Sequence, residues 1–118
     1  MQADVFLDTA YAIALSSPND QFHARAIALA EQLEALGTRL VTTRAVLLEI
    51  GNALSKQRYR QAAVQLLDSL ETDPTVDIVP LSEPLYARAM QLYRERHDKE
   101  WGLTDCVSFL VMQDCGPA

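Results

Sequence analysis

The sequence has few cysteines, no long apolar run and no glycine-rich loop, and each absence excludes a class of protein. Two cysteines in 118 residues are too few for the disulfide framework of a small secreted domain. No apolar stretch reaches the roughly 20 residues of a membrane-spanning helix, and the N-terminus lacks the basic start of a signal peptide. No segment resembles a glycine-rich loop that cradles phosphate. We therefore expect a cytoplasmic protein with reduced thiols and no membrane contact.

Positive charge is also scarce, with 10 Lys and Arg against 16 Asp and Glu and a net charge of −6. This balance argues against binding nucleic acid through global attraction. It does not exclude an enzyme that acts on nucleic acid, because a catalytic cluster of carboxylates is itself a source of negative charge. The hydrophobic content of 49% is ordinary, and the length predicts a single domain over residues 1–118.

Short apolar segments alternate with helical patterns along the whole chain. Since strands separated by helices pair in parallel, the pattern predicts an α/β sandwich whose ligands bind beyond the carboxyl ends of the strands. Strands are predicted at Asp4–Leu7, Leu40–Thr42 and Val76–Val79. Helices are predicted from Thr9, from Asn19 or Asp20 to Leu36, from Thr43, over Gln61–Leu70, from Ser82 and over Leu103–Met112.

For two of these helices the sequence predicts which residues form the buried apolar face. The second helix carries apolar residues at helical spacing and is followed by Gly37, a residue typical of a helix C-terminus. The helix over Gln61–Leu70 is predicted to face inward through Val64, Leu67 and Leu70, after a basic connecting segment, "KQRYRQ". The stripe of the second helix consists of Phe22, Ala26, Leu29, Leu33 and Leu36.

Three acids border apolar segments instead of lying on a solvated face: Asp8, Glu49 and Asp105. Each has a purely structural explanation. Asp8 could cap the helix that follows it, Glu49 could be a boundary residue with a packed stem, and Asp105 could be stabilised by a helix macrodipole. Together they suggest more, because the end of the first strand, the helix after the second and the start of the last helix can converge on one cleft.

Three converging carboxylates repel one another unless a cation is present. Mg²⁺ prefers carboxylate oxygens and retains several waters, and a metal can activate such a water to attack a phosphodiester and can stabilise the leaving oxygen. The three acids therefore favour a metal-dependent phosphodiesterase over a structural role, although no one of them does so alone.

Four segments that contain these acids carry a resemblance to a known family. "VFLDTAYAIAL", "DQFHARA", "LVTTRAVLLEIGNAL" and "DKEWGLTDCVSFLVM" resemble the PIN-domain family, specifically the VapC-type ribonuclease toxins of toxin–antitoxin modules. The resemblance implies a three-layer sandwich with a central parallel sheet flanked by helices. It also implies a metal-dependent endoribonuclease that hydrolyses RNA with a Mg²⁺-activated water, with Mn²⁺ as a substitute, a cognate antitoxin and a homodimer.

The family's site residues transfer onto matching positions of this sequence. Asp8, Glu49 and Asp105 resemble the three acids that bind metal and catalyse hydrolysis, and Asp98 resembles an additional acid before the third motif. The residues assigned to positioning water or RNA are Thr9, Asn52 and Thr104.

The resemblance departs from the family pattern at the C-terminus. Family members continue past the last helix into a strand that ends in a fourth aspartate, whereas this sequence stops at "QDCGPA", with Asp114 still at the helix end. We therefore expect the C-terminal strand or strands to be missing and the first strand to be an exposed edge. An alternative function is then a catalytically impaired PIN-like module that acts by binding an antitoxin or another partner.

Other side chains leave further possibilities open. Arg96, Lys99 and neighbouring cations could contact RNA phosphates, and Trp101 could stack a base, but solvated loop positions and packing are the simpler explanations. Ser108 has no base nearby in the sequence, so a nucleophilic serine is not predicted. An unrelated phosphoryl-transfer domain is disfavoured because "LDTA" lacks the second acid of a DxD phosphatase loop.

Overall fold

The computed structural model describes residues 4–115, in which three strands are separated by helices. The strands are β1 (Val5–Phe6), β2 (Leu40–Thr43) and β3 (Val76–Val79). The helices are α1 (Thr9–Ser16), α2 (His23–Leu36), α3 (Arg44–Ala53), α4 (Gln57–Thr72), α5 (Glu83–Glu95) and α6 (Leu103–Cys115). No helix within residues 4–115 is long and apolar enough to cross a bilayer.

The strands form one parallel sheet in the order β1-β2-β3. Val5 pairs with Leu40 and Phe6 with Val41, while Thr43 pairs with Val79 on the other side of β2. In the part of the chain that the structure describes, β1 pairs only with β2 and is therefore an edge strand. The carboxyl ends of β1 and β2 lie side by side, which places the residues after Phe6 and Thr43 at the same edge of the sheet.

Helices cover both faces of the sheet, so the molecule has the predicted three layers. One apolar cluster joins Leu7 to α1, α3 and α4, and its buried members include Val46, Ile50 and Leu70. The other joins Val41 to α5 and α6, chiefly through Leu85, Ala89, Val107 and Val111. The parallel α/β sandwich predicted from the alternating pattern is confirmed.

Several helix ends match the sequence and others differ, among them the start of α2, which lies at His23 and not at Asn19 or Asp20. The hydroxyls of Thr43 and Ser82 accept the expected capping hydrogen bonds, and Gly37 ends α2 with a positive φ of 68° that suits glycine. Helix α1, however, is capped by Asp8 and not by Thr9. Helix α4 begins at Gln57, so most of the predicted basic connection is the first turn of a helix.

The predicted apolar stripe of α2 is wrong, because most of it faces solvent. Phe22, Leu29 and Leu36 are 53%, 42% and 54% exposed, and only Ala26 is buried. The reason is that α2 packs chiefly on α1 rather than on the sheet. The first turn of α2 is fixed to α1 by a hydrogen bond of 2.7 Å between His23 Nδ1 and the Ala14 carbonyl.

The inward face predicted for α4 is also partly wrong. Val64 is 48% exposed, whereas its neighbour Ala63 is buried together with Leu70. Since α4 runs for 16 residues from Gln57, its apolar stripe is set by contacts over a longer helix than the one predicted, and Ala63 rather than Val64 faces the core.

Candidate functional site

Asp8, Glu49 and Asp105 line one cavity of about 350 Å³ at the carboxyl edge of the sheet. They come from the end of β1, from the middle of α3 and from the first turn of α6, so the fold brings together residues that are far apart in the sequence. We call this space the acidic cavity. Its remaining lining residues are Thr9, Ala10, Ile13, Thr104, Ser108, Phe109 and Met112.

The position of Asp8 is set by the buried residue before it. Leu7 is fully buried; its N–H donates to the Val41 carbonyl at 2.8 Å, and its carbonyl accepts from Thr42 Oγ1 at 2.8 Å. Because Leu7 is fixed on both sides, Asp8 leaves the sheet at a defined place. There, Asp8 Oδ1 accepts a hydrogen bond from the Tyr11 N–H at 2.8 Å.

The position of Glu49 follows from the start of α3. Thr43 is fully buried, and its Oγ1 accepts from the Val46 N–H at 3.1 Å. The helix then buries Val46, Leu47 and Ile50, which leaves Glu49 half-buried at the border of the core. From there it lines both the acidic cavity and a neighbouring cavity of about 260 Å³.

That neighbouring cavity is where the structure places Asn52. Asn52 lines it together with Glu49 and Thr104, and it is not among the residues that line the acidic cavity. Thr104, like Glu49, lines both spaces. Of the residues assigned to positioning water or RNA, the structure therefore brings Thr9 and Thr104 to the three acids and leaves Asn52 on the far side of Glu49.

Asp105 lies in the first turn of α6, where its Oδ2 accepts a hydrogen bond from the Gly102 N–H at 2.9 Å. Ser108, Phe109 and Met112 follow at intervals of three, four and seven residues and line the same cavity, since such intervals share one face of a helix. Ser108 is buried and was overlooked as a cavity residue; its spacing from Asp105 was the available signal.

The carboxylate oxygens of Asp8, Glu49 and Asp105 are ligands of the type that a hard divalent cation prefers, although the three carboxylates do not form a closed cluster. Within residues 4–115, no three Asp, Glu, His or Cys side chains are grouped closely enough to hold a metal ion. One oxygen of Asp8 and one of Asp105 are turned toward backbone N–H groups, and each carboxylate has a second oxygen. Among the described lining residues no Lys, Arg or His competes for these oxygens, and Mg²⁺ prefers oxygen ligands.

The structure does not bring Asp98 to the other three acids. Its two oxygens accept hydrogen bonds from the Arg96 guanidinium, at 3.1 Å from Nε and 3.3 Å from a terminal nitrogen. This pairing lowers the pKa of Asp98 below its usual value. Asp98 is exposed and is not a described lining residue of the acidic cavity.

Burial next to this site also affects a thiol. Cys106, which follows Asp105, is fully buried, and burial together with the Asp105 charge raises the pKa of its thiol. Cys106 packs in the core cluster formed by α5, α6 and Val41.

A comparison with protein families identifies the family of this chain. The family model described as "PIN domain" matches residues 5–114. The chain therefore belongs to the PIN-domain family.

Among solved structures, the chain is similar to VapC20 of Mycobacterium tuberculosis, a toxin described as cleaving the sarcin-ricin loop. The TM-score is 0.82 at 24% sequence identity, and the match covers 96% of this chain and 84% of the other. A likeness at this identity shows that the two proteins share a fold. No significant match was found among curated proteins.

Proposed function

We propose that this chain is a metal-dependent endoribonuclease and the toxin of a type II toxin–antitoxin module in the cytoplasm. The observation that carries the proposal is that Asp8, Glu49 and Asp105, from three separate elements, line a single cavity. Membership of the PIN-domain family supports it, and so does the shared fold with a toxin described as cleaving an RNA loop.

In this proposal the oxygens of Asp8, Glu49 and Asp105 hold Mg²⁺, or Mn²⁺ in its place. The bound cation supplies positive charge for the phosphodiester oxygens and lowers the pKa of water. The chain's own residues orient the reactants. Thr9, Thr104 and Ser108 line the acidic cavity, and a hydroxyl group can accept from a water or donate to a phosphate oxygen.

The same cavity also has an apolar part. Ile13, Phe109 and Met112 form its apolar part, and Phe109 and Met112 are 37% and 39% exposed. An apolar surface beside an acidic site is compatible with a protein that covers it. We propose a cognate antitoxin as this partner and a homodimer as the toxin's own assembly, both on the basis of the family resemblance.

The first test is metal-dependent cleavage of RNA by the purified protein, with an Asp8→Asn variant. We expect cleavage in Mg²⁺ or Mn²⁺, none in EDTA, and a loss of at least a hundredfold in Asp8→Asn, because several kcal/mol of metal-based stabilisation is removed. Asparagine retains an oxygen that can accept from the Tyr11 N–H, so the helix cap is kept.

The matched control is Asp68→Asn, which removes an exposed carboxylate from α4 and should leave the rate unchanged. Cleavage that persists in EDTA, or an Asp8→Asn rate equal to that of the wild type, would contradict the proposal. Cleavage absent under every condition would favour the second candidate, a catalytically impaired module that acts through partner binding. The observation behind that candidate is that two of the three carboxylates serve as backbone caps.

A further inference from the structure

A further cavity, of about 480 Å³, is lined by residues between Tyr93 and Cys106 and has a different chemistry from the acidic cavity. Its lining includes two cations, Arg96 and Lys99, and the indole ring of Trp101. We call this space the cationic cavity. Its other lining residues are Tyr93, His97, Glu100, Gly102 and Cys106.

Both cations lie over the face of the indole. The Arg96 guanidinium carbon is 5.1 Å from the ring centroid, and Lys99 Nζ is 6.0 Å from it. These are ordinary cation–π distances. The ring itself is half-buried, so one part of it packs against the core cluster around Val107 while another part borders the cavity.

Two contacts join the cationic cavity to the acidic cavity. Trp101 meets Phe109 edge to face, with ring centroids 4.7 Å apart, and Phe109 lines the acidic cavity. Gly102, which lines the cationic cavity, donates its N–H to Asp105 at 2.9 Å. Trp101 and Gly102 on one side and Phe109 and Asp105 on the other therefore form a wall between the two spaces, although no described residue lines both.

The two spaces differ in the charged groups that line them. Three carboxylates line the acidic cavity, whereas two cations and one carboxylate, Glu100, line the cationic cavity. Arg96 is paired with Asp98, but Lys99 has no ion pair among the described residues. The two cations here are therefore matched by two carboxylates, Asp98 and Glu100, and Lys99, which is unpaired among the described residues, is the group that can take an anion.

We propose that the cationic cavity is a nucleotide subsite for the RNA substrate, in which a phosphate flanking the scissile bond pairs with Lys99 and Arg96 and a base stacks on Trp101. This inference rests on the proposed ribonuclease function and adds to it the place where the substrate chain leaves the acidic cavity.

Because the cations lie over the ring, both the phosphate and the base of a nucleotide are needed for binding. In the free protein the cations occupy the indole face. A phosphate attracts them more strongly than the ring does, since it carries a full charge, and their displacement exposes the face to a base. Stacking on an aromatic side chain tolerates any base, so this subsite contributes affinity and register rather than sequence preference.

An acidic peptide would satisfy the two cations but has no planar group for the indole. The contacts that connect this cavity to the acidic cavity also favour a nucleic acid, since the proposed substrate of the acidic cavity is RNA. We therefore assign the cationic cavity to RNA and treat binding of an acidic peptide as an outcome of the test.

Trp101 is the only tryptophan in the chain, so intrinsic fluorescence reports on this cavity alone. The experiment titrates the wild-type protein in EDTA, where no cleavage is expected, with a short single-stranded RNA oligonucleotide and follows tryptophan emission. We expect quenching that saturates and weakens steeply with added salt. Polyglutamate of equal charge is the comparison ligand, and we expect it to quench the emission much less than the RNA does, because it has no base to stack on the indole.

Three variants are then compared by fluorescence anisotropy of a labelled oligonucleotide. Lys99→Gln should weaken binding severalfold and reduce the slope of log affinity against log salt by about 0.7, the value for one phosphate contact with a single strand. Trp101→Leu keeps an apolar side chain against the core and should weaken binding about tenfold through lost stacking. The control is Arg58→Gln, which removes a cation lying 4.8 Å over the ring of Tyr59 on α4 and should not change the affinity.

The outcomes separate this inference from the proposed function. Wild-type affinity in both Lys99→Gln and Trp101→Leu, no RNA binding by the wild type, or quenching by polyglutamate equal to that by RNA would each overturn the nucleotide subsite. If that happened while Mg²⁺-dependent cleavage still required Asp8, the ribonuclease would stand without the subsite. Binding that depends on Lys99 and Trp101 in a protein that cleaves no RNA would instead support the subsite and remove the catalytic function.

Discussion

The acidic and cationic cavities share a wall but differ in how the chain builds them. The lining residues of the acidic cavity run from Asp8 to Met112 and come from α1, α3 and α6. Those of the cationic cavity all lie between Tyr93 and Cys106, in the end of α5, the loop after it and the start of α6. One cavity therefore exists only in the complete fold, and the other is largely a local structure.

This difference implies that the two cavities have separate functions, which mutations can test. The acidic cavity depends on buried, fixed neighbours such as Leu7, Thr42 and Thr43, which suits chemistry that needs exact placement. The cationic cavity consists mainly of exposed side chains on a loop, which suits adaptable binding. We expect changes in the first to affect catalysis with little effect on RNA affinity, and changes in the second to do the reverse.

Asp105→Asn should have the largest effect and the clearest split between the two cavities. Removing one carboxylate should lower metal-dependent cleavage at least a hundredfold. Asparagine retains an oxygen for the Gly102 N–H, so the wall between the cavities is kept. RNA affinity in EDTA should be unchanged or slightly higher, because a negative charge has been removed from the neighbourhood of the phosphates.

Thermal unfolding with and without Mg²⁺ provides a second readout of Asp105→Asn that does not depend on activity. A ligand that binds only the folded state raises its stability by an amount that grows with ligand concentration. The melting temperature of the wild type should therefore rise with Mg²⁺, and that of the variant should rise much less. An equal rise in both proteins would show that the cation binds elsewhere.

Thr42→Val should affect the acidic cavity through Asp8 and leave the cationic cavity intact. The substitution removes the buried hydrogen bond from Thr42 Oγ1 to the Leu7 carbonyl, and the loss of one partner of a buried pair costs about 1–3 kcal/mol of unfolding free energy. Cleavage should also fall, since Asp8 follows Leu7, while the emission of Trp101 should not shift. Urea unfolding and cleavage assays measure the two effects.

Thr72→Val is the matched control for that substitution. Thr72 is exposed and its hydroxyl donates to the Asp68 carbonyl within α4, so its replacement should change stability by less than about 0.5 kcal/mol. If both variants lost the same stability, or if Thr42→Val cleaved RNA like the wild type, the coupling between β2 and Asp8 would be refuted.

The sequence predicted the parts of this molecule that depend on regular patterns. Alternating strands and helices gave the parallel sandwich, and residues such as Thr43, Ser82 and Gly37 marked helix ends because their local chemistry is specific. Asp8, Glu49 and Asp105 could be singled out because each interrupts an apolar segment. The shared edge of a parallel sheet then explains why Asp8 and the helix carrying Glu49 meet.

The sequence could not predict features that depend on which residues a side chain contacts in the folded protein. The stripe of α2 has helical spacing, but spacing does not reveal that α1 rather than the sheet is its partner. Asn52 lies one turn after Glu49 and yet lines the adjacent cavity, since Glu49 stands between two spaces. Asp98 is engaged by Arg96 two residues before it, a loop contact that no periodicity describes.

Asp98→Asn should have the smallest effect, and its sign distinguishes two roles for this residue. If Asp98 acts by neutralising Arg96, its removal leaves Arg96 uncompensated beside the cationic cavity, and RNA should bind about two- to fivefold more tightly in EDTA, as expected for one exposed charge pair. If Asp98 is instead an additional metal ligand, the variant should lose cleavage without gaining affinity.

The pH dependence of the affinity gives a further check on the Arg96–Asp98 pair. Because Arg96 lowers the pKa of Asp98, the wild-type carboxylate stays ionised to a lower pH than an ordinary aspartate does. The difference in affinity should therefore persist to acidic pH and disappear only when that carboxylate is protonated. Asp68→Asn is again the control, and an equal gain in affinity there would mean that net charge alone, and not the Arg96–Asp98 pair, governs RNA binding.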